Sequence, residues 1–144
     1  MKKEELMSIL PHRNQMLLLD EAVAENGVAK GKKTITGDEF FLDGHFPGNP
    51  IVPGVILCEI LAQSACVLLI DEAQGKKVST LFTGLDKVKF KNPVKPGDTF
   101  ETEVSVTKSK GVFYWASGKG YVDGKLCVSA EFSFAVIPEK EKGE

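Results

Sequence analysis

Residues 51–70 form a nearly uncharged apolar stretch that constrains the fold more than any other feature of the sequence. These twenty residues carry one formal charge, at Glu59. The stretch is long enough to span a bilayer, but Pro53, Gly54 and Gln63 interrupt it, and a carboxylate deep in lipid is costly. A helix that is apolar on nearly all sides also suits a domain core enclosed by a sheet. We therefore expect a buried central helix and no membrane span.

Alternating apolar residues and turn signals predict strands on both sides of this helix. Asn26-Gly27 and Asp123-Gly124 are strong signals for two-residue hairpins. The predicted strands are residues 16–24, 28–35, 80–90, 99–109, 112–122 and 126–137, and the predicted helices are residues 2–10 and 53 or 54 to about 72. Because hairpins dominate and one long helix separates the second strand from the third, we predict an α+β fold in which an antiparallel sheet curls around the helix.

The composition is that of an ordinary globular protein. A chain of 144 residues suits one domain, residues 1–144, with a single core. The formal net charge of −2 argues against a nucleic-acid partner, which normally requires a basic face. The acidic residues Glu4 and Glu5 stand where a signal peptide would be apolar, which predicts a cytoplasmic protein.

Three cysteines, Cys58, Cys66 and Cys127, form no CxxC pair, and their number is odd. This pattern predicts reduced, buried thiols in the cytosol. His12 and Arg13 stand together near the start of the chain, where an ion pair or a strand-entry contact is the simpler interpretation. A metal site there would need a third ligand that the sequence does not supply at a known spacing. We expect neither a metal nor a cofactor.

His45 lies in a segment rich in proline and glycine, which includes Pro47, Gly48 and Pro50. Such residues restrict the backbone and hold a side chain in one geometry. An isolated loop histidine usually bonds a backbone group, but a neutral imidazole is also the side chain best suited to accept a proton near pH 7. We interpret His45 as a candidate general base.

Glu59 lies among apolar residues on the helix that starts at Pro53 or Gly54. An acid near a helix start complements the helix dipole, which explains its position but not its apolar neighbours. Gln63, four residues on, lies on the same side and can orient the carboxyl group. The free N–H groups of Gly54 and Val55 can stabilise the oxygen of an enolate formed from a thioester. These groups predict dehydration, in which a proton leaves carbon and a hydroxyl group departs.

Lys87, Lys89 and Lys91 alternate with Val88 and Phe90. The alternation predicts lysines along the outer face of a strand whose other face is buried. Lysines at such positions protect a strand edge from pairing with another chain. They would equally suit the binding of an acidic partner, and the sequence leaves both interpretations open.

Taken together, these motifs resemble the active-site signature of the beta-hydroxyacyl-[acyl carrier protein] dehydratases of type II fatty acid synthesis. The matching segments, which cover most of the chain, are Leu10-Pro11-His12-Arg13, Leu18-Leu19-Asp20, His45-Phe46-Pro47-Gly48, Pro53-Gly54-Val55, Glu59, Ala62-Gln63, Gly84 to Phe90, Pro93, Pro96-Gly97-Asp98, Val122 to Lys125 and Ala130-Glu131. The resemblance implies a hotdog fold, assembled as a homodimer and often as a trimer of dimers. It also implies an acyl carrier protein as the partner that delivers the substrate.

The resemblance further implies a role for each site residue. His45 would act as base on the alpha carbon, Glu59 would activate the beta-hydroxyl group, and the amides of Gly54 and Val55 would hold the thioester oxygen. His45 of one chain would meet Glu59 of the other chain, so that each dimer has two shared sites.

Three positions separate the two branches of this family. The branch that also isomerises the double bond typically has Asp, Cys and Asp where this chain has Glu59, Val55 and Asn49. All three residues indicate the dehydratase-only branch, although some members with Glu are isomerases. Asn14-Gln15 departs from the usual aromatic residue followed by proline, and this departure bears on the strand entry and the acyl chain length.

Two other classes of function remain open. One is a bifunctional dehydratase/isomerase or another hotdog enzyme such as a thioesterase, whose usual site motifs differ from those of this chain. The other is a non-catalytic acyl-binding module. The pair His45 and Glu59 argues against this module, since binding alone has no use for an acid in an apolar setting.

Overall fold

The computed structural model describes residue 2 and residues 18–42, 50–69 and 78–138. Within these residues the chain forms six strands and one α-helix. Their order is β1 (Glu21–Glu25), β2 (Val28–Thr34), α1 (Gly54–Ala65), β3 (Val78–Phe90), β4 (Thr99–Lys110), β5 (Phe113–Val122) and β6 (Lys125–Pro138). The strands form a single sheet in the order β1-β2-β4-β5-β6-β3, with antiparallel pairing throughout. The α+β architecture predicted from the sequence is confirmed.

The two hairpin predictions are also confirmed. Asn26 and Gly27 have φ angles of 51° and 78°, and Asp123 and Gly124 have φ angles of 50° and 78°. Two successive left-handed residues form the turn whose twist matches that of the flanking strands, and Asn-Gly and Asp-Gly are the pairs that adopt it most easily. These turns fix the register of β1 on β2 and of β5 on β6.

Helix α1 begins at Gly54, as predicted, with Pro53 at its N-cap position. Its α-helical part ends at Ala65 rather than near residue 72, and Cys66–Leu69 continue it as a 3-10 turn. A tighter last turn is a common way to bond the final carbonyl groups of a helix. No helix in the described segments has the length and apolar character needed to cross a membrane.

Near the start of the chain, the described residues differ from the predicted elements. β1 begins at Glu21 rather than at residue 16, because Leu18 and Leu19 are buried in the core and do not pair in the sheet. Lys2 forms an isolated antiparallel bridge and an ion pair with Glu21. The predicted helix at residues 2–10 therefore does not include Lys2, and its other residues lie outside the described part.

The core lies between α1 and the inner face of the sheet. The helix packs mainly on β4 and β5. Eight consecutive or near-consecutive residues are buried, which confirms the prediction of an enclosed central helix: Leu57, Cys58, Ile60, Leu61, Ala62, Gln63, Ser64 and Ala65.

A buried chain of hydroxyl groups fixes the helix on the sheet. The Ser64 hydroxyl donates to the Ile60 carbonyl at 2.9 Å and lies 2.7 Å from the Thr102 hydroxyl of β4. Thr102 in turn accepts the Gly31 N–H at 2.9 Å. Since each of these buried groups has a partner, the cluster stabilises one register of α1 against β2 and β4.

β3 is the last strand of the sheet and departs from the regular alternation that the lysines predicted. A bulge between Asp86 and Lys89 gives Lys87 a φ of 49°, and its ammonium group lies 3.6 Å from Glu131. Val88 is partly buried against the core, whereas Phe90 is 54% exposed, so the prediction of a buried opposite face holds in part for Val88 and is wrong for Phe90 in the single chain. The reason is that α1 packs mainly on β4 and β5.

Candidate functional site

The N-terminus of α1 presents two backbone donors for which the described residues supply no partner. The N–H groups of Ile56 and Leu57 donate to the Pro53 carbonyl at 3.0 and 3.3 Å. In the described segments, the N–H groups of Gly54 and Val55 make no hydrogen bond, and the Val55 side chain is 71% exposed. Free donors at the positive end of a helix dipole suit an oxygen that carries or develops negative charge. The structure thus leaves available the two amides that the sequence singled out.

Glu59 and Gln63 contact each other one turn apart on α1. The Gln63 Nε2 donates to Glu59 Oε1 at 3.2 Å, and Gln63 Oε1 accepts the N–H of Leu18 at 3.0 Å. A backbone N–H can only donate, so Leu18 determines which end of the amide faces the carboxyl group. Gln63 is 1% exposed, whereas Glu59 is half-buried rather than fully desolvated. The spacing of four residues therefore brings this pair together, as predicted.

His45 falls in residues 43–49, which lie outside the described part of the chain, as do His12, Arg13 and Asn14-Gln15. The described residues before that segment form a capped turn that the sequence analysis missed. The N–H groups of Thr36 and Gly37 each donate to the Glu39 carboxylate at 2.9 Å. The signal was present in the sequence, since Thr36 followed by Glu39 is the spacing of a capping box. This turn fixes the chain just before the segment that carries His45.

Glu39 also belongs to a partly buried ionic cluster. The Lys33 ammonium lies 3.6 Å from Glu39 and 3.7 Å from Asp20, and Asp20 accepts the Thr34 N–H at 2.7 Å. Burial alone raises the pKa of Glu39, but the donated hydrogen bonds, above all from Thr36, outweigh it and lower the pKa below its ordinary value of 4.5. The cluster ties β2 to the capped turn.

An apolar cavity of about 420 Å³ adjoins the free amides. Its lining includes Ile51, Gly54, Leu57, Phe90 and Pro93. A larger groove of about 640 Å³ lies on the outer face of β1, β2 and β4, among charged residues that pair across the strands. We assign the candidate site to the smaller cavity, because Gly54, whose N–H has no partner among the described residues, lines it.

The three cysteines are free and buried, which confirms the prediction for them. Burial raises the pKa of the Cys58 and Cys127 thiols, so both favour the unreactive protonated form. Among the residues with described positions, no group of three or more His, Cys, Asp or Glu side chains could hold a metal ion.

Comparison with known proteins identifies the family. The model of the FabA-like domain matches residues 10–131. The chain is 44% identical to the 3-hydroxyacyl-[acyl-carrier-protein] dehydratase FabZ of Fusobacterium nucleatum over 135 residues, 92% of this chain and 94% of that protein. It is 41% identical to the enzyme of the same name from Alkaliphilus metalliredigens over 143 residues, 96% of each chain.

Solved structures support the fold. The structure titled the dehydratase heterocomplex ApeI:P from Xenorhabdus doucetiae matches with a TM-score of 0.79 at 19% identity, over 94% of this chain and 91% of that one. The uncharacterised protein PH1136 from Pyrococcus horikoshii matches with a TM-score of 0.65 at 17% identity, over 89% and 88%. The predicted hotdog fold is confirmed, and the chain belongs to the FabA-like domain family.

Proposed function

We propose that this protein converts (3R)-hydroxyacyl groups on acyl carrier protein to trans-2-enoyl groups in fatty acid biosynthesis. The proposal rests mainly on how three residues are arranged along helix α1, in a chain that belongs to this family. Val55, Glu59 and Gln63 follow one another at intervals of four residues and therefore lie on one side of the helix. The residue with a free backbone amide, the acid and the amide side chain bonded to the acid thus occupy successive turns of one rigid element.

The chemistry is an elimination that needs no redox cofactor. His45 takes a proton from the alpha carbon, and the N–H groups of Gly54 and Val55 stabilise the negative charge that develops on the thioester oxygen. Glu59 gives a proton to the beta-hydroxyl group as its bond to carbon breaks. The alpha and beta carbons become doubly bonded, water leaves, and transfer of the proton from His45 to Glu59 restores the starting state.

The test is the reaction of a 3-hydroxyacyl-carrier thioester with the protein, followed by product analysis. The 2-enoyl product supports the proposal. The 3-enoyl product indicates a dehydratase/isomerase, free acid a thioesterase, and no change an acyl-binding module.

Glu59→Gln should abolish turnover with the fold intact, because an amide cannot supply the proton. Glu59→Asp should keep partial activity at best, since the shorter side chain retracts the acid. Near wild-type turnover by Glu59→Gln would refute the role of Glu59.

We also propose that the protein is a single hotdog domain, residues 1–144, that assembles into homodimers, alone or as a trimer of dimers, with His45 and Glu59 of each site on different chains. The exposed inner face of the edge strand β3 supports this assembly. Phe82 and Leu85 are 41% and 49% exposed there, and apolar side chains on an uncovered edge strand favour association. Buried, reduced thiols suit the cytoplasm as the compartment.

Mixing two inactive variants tests the shared site. In a mixed dimer of His45→Ala and Glu59→Gln chains, one site carries both defects and the other carries none. Activity should therefore return once subunits exchange. If each site lay within one chain, every site would keep one defect and the mixture would stay inactive. Exchange is verified separately with differently tagged chains and native mass spectrometry, which also distinguishes dimers from hexamers.

For the partner, we propose that an acidic carrier protein docks beside Lys89 and Lys91. Lys87 is already engaged with Glu131, whereas Lys89 and Lys91 make no ion pair within the described residues. Charge reversal at these two lysines should raise KM for carrier-bound substrate more than for a small thioester analogue. Lys119→Glu, on exposed β5 surface, is the control. Equal effects on both substrates would favour a purely structural role.

A further inference from the structure

The ring of Phe90 lies against the first residue of α1. An ideal Cβ placed on Gly54 would be only 2.5 Å from Cζ and 2.8 Å from Cε1 of that ring. Because a carbon–carbon single bond is about 1.5 Å long, the ring edge lies within about 4 Å of the Gly54 Cα. Cα–Cβ bonds in a helix tilt toward its N-terminus. The ring therefore lies on the side toward which the free N–H groups of Gly54 and Val55 point.

The same ring is part of the wall of the apolar cavity of about 420 Å³ beside these amides. Phe90 is 54% exposed, so its outward side is not filled by the core. An oxygen bonded to the Gly54 N–H would stand about 2.9 Å from that nitrogen. An acyl group held by such a bond is adjacent to Gly54, whose Cα lies within about 4 Å of the ring edge.

We propose that Phe90 selects acyl groups that are unbranched at the carbon next to the thioester carbonyl. This inference rests on the proposed function, because it takes the amides of Gly54 and Val55 as the site of the thioester oxygen. The ring leaves no room for a methyl group on Gly54 itself. A methyl branch on the neighbouring substrate carbon meets the same ring edge, whereas a linear chain passes beside it.

Binding of two isomeric thioesters tests the proposal. Butanoyl-pantetheine and 2-methylpropanoyl-pantetheine have the same atoms and differ only in branching at the carbon next to the carbonyl. By isothermal titration calorimetry, the wild-type protein should bind the linear isomer at least ~10-fold more tightly, a difference within the range of one misplaced methylene group in a pocket. Phe90→Ala should reduce that ratio to below about 3-fold, and Phe90→Leu should give an intermediate ratio with an apolar side chain retained.

Phe113→Ala is the matched control. Phe113 is 46% exposed on β5 and does not belong to the lining described for the cavity, so its loss should leave the wild-type ratio unchanged. Equal binding of the two isomers by the wild-type protein, no binding of either, or a ratio unchanged in both Phe90 variants would overturn the proposal.

The outcome is independent of turnover, because neither isomer carries a hydroxyl group that could be eliminated. If the protein dehydrates no 3-hydroxyacyl thioester but the binding ratio depends on Phe90, the proposed reaction fails and the selectivity stands. If the protein dehydrates its substrate but the ratio does not depend on Phe90, the selectivity fails and the reaction stands.

Discussion

Replacing Gln63 with leucine should show whether Gln63 positions Glu59 for catalysis or only stabilises the fold. The side chain is 1% exposed, and its contacts with described residues include a hydrogen bond to Glu59 at 3.2 Å and one from Leu18 at 3.0 Å. Leucine is apolar and one bond shorter than glutamine but of comparable volume, so it occupies much of the space and offers neither donor nor acceptor. The change removes the acceptor of the buried Leu18 N–H and the hydrogen bond that Gln63 gives to the Glu59 carboxyl group, which should shift that group.

Both losses have expected magnitudes. An unpaired buried N–H costs about 1–3 kcal/mol, and for a chain of this size a loss of about 2 kcal/mol lowers Tm by roughly 4–8 °C. For catalysis, a displacement of a catalytic group by about 1 Å can cost about 100-fold. We therefore expect kcat to fall roughly 10- to 100-fold in Gln63→Leu, with little change in KM because the amides that hold the thioester remain.

Ser64→Ala is the matched control for this experiment. Ser64 neighbours Gln63 on α1, is fully buried and bonds Ile60 and Thr102, but no bond joins it to Glu59 among the described contacts. Thermal unfolding should show a comparable loss of stability in both variants, and steady-state dehydration should show a lower kcat only in Gln63→Leu. Equal kcat values in the two variants would mean that Gln63 is structural only.

Three further changes test other features. Glu39 has a lowered pKa, so its stabilising effect is complete above the ordinary value of 4.5 and is lost as pH falls through the folded value. We therefore expect the free energy of unfolding to fall less steeply at acid pH in Glu39→Gln than in the wild-type protein, as measured by urea unfolding between about pH 7 and 3. Gly120→Ala should cost about 1–3 kcal/mol, since a Cβ there would be 2.1 Å from the buried Phe100 ring; an unchanged urea midpoint would contradict the close contact. Iodoacetamide should label Cys58 and Cys127 only upon unfolding, and rapid labelling of the native protein would contradict their burial.

Local chemistry explains which parts of the fold the sequence predicted well. The hairpins at Asn26-Gly27 and Asp123-Gly124 follow from left-handed backbone angles that these residues tolerate. The start of α1 follows from proline, which is favoured before and within a first helical turn. The end of its α-helical part at Ala65 has no such signal, because the apolar pattern continues unbroken to residue 70.

The bulge in β3 illustrates a limit of periodicity. Lys87 adopts a left-handed φ of 49°, although lysine has no particular preference for that region. The angle accompanies the bulge in the pairing with β6, which lies between the pairs Asp86–Glu131 and Lys89–Ser129, 45 and 40 positions apart in the sequence. Strand alternation predicted a continuous lysine face there, and a contact so distant in sequence leaves no trace in a local pattern.

The candidate site likewise combines contacts that a local sequence pattern predicts with contacts between residues far apart in the sequence. The pairing of Glu59 with Gln63 follows from a spacing of four residues on a helix. The contact of Gln63 with Leu18 spans 45 residues, and that of Phe90 with Gly54 depends on how the end of β3 meets α1. The pairing on the helix was therefore predictable from the sequence, but the contacts of Leu18 with Gln63 and of Phe90 with Gly54 were not.

Helix α1 serves at once as the core of the fold and as the support of the proposed catalytic groups. Its buried end is bonded to the sheet through Ser64 and Thr102, and its other end leaves the amides of Gly54 and Val55 free. Groups on such a rigid element keep fixed distances from one another more reliably than groups on loops. The spacing from amide to acid is then the same for every acyl substrate. Discrimination among substrates then depends on the side chains that line the neighbouring cavity, and the Phe90 ring is one of these and contacts the first residue of the helix.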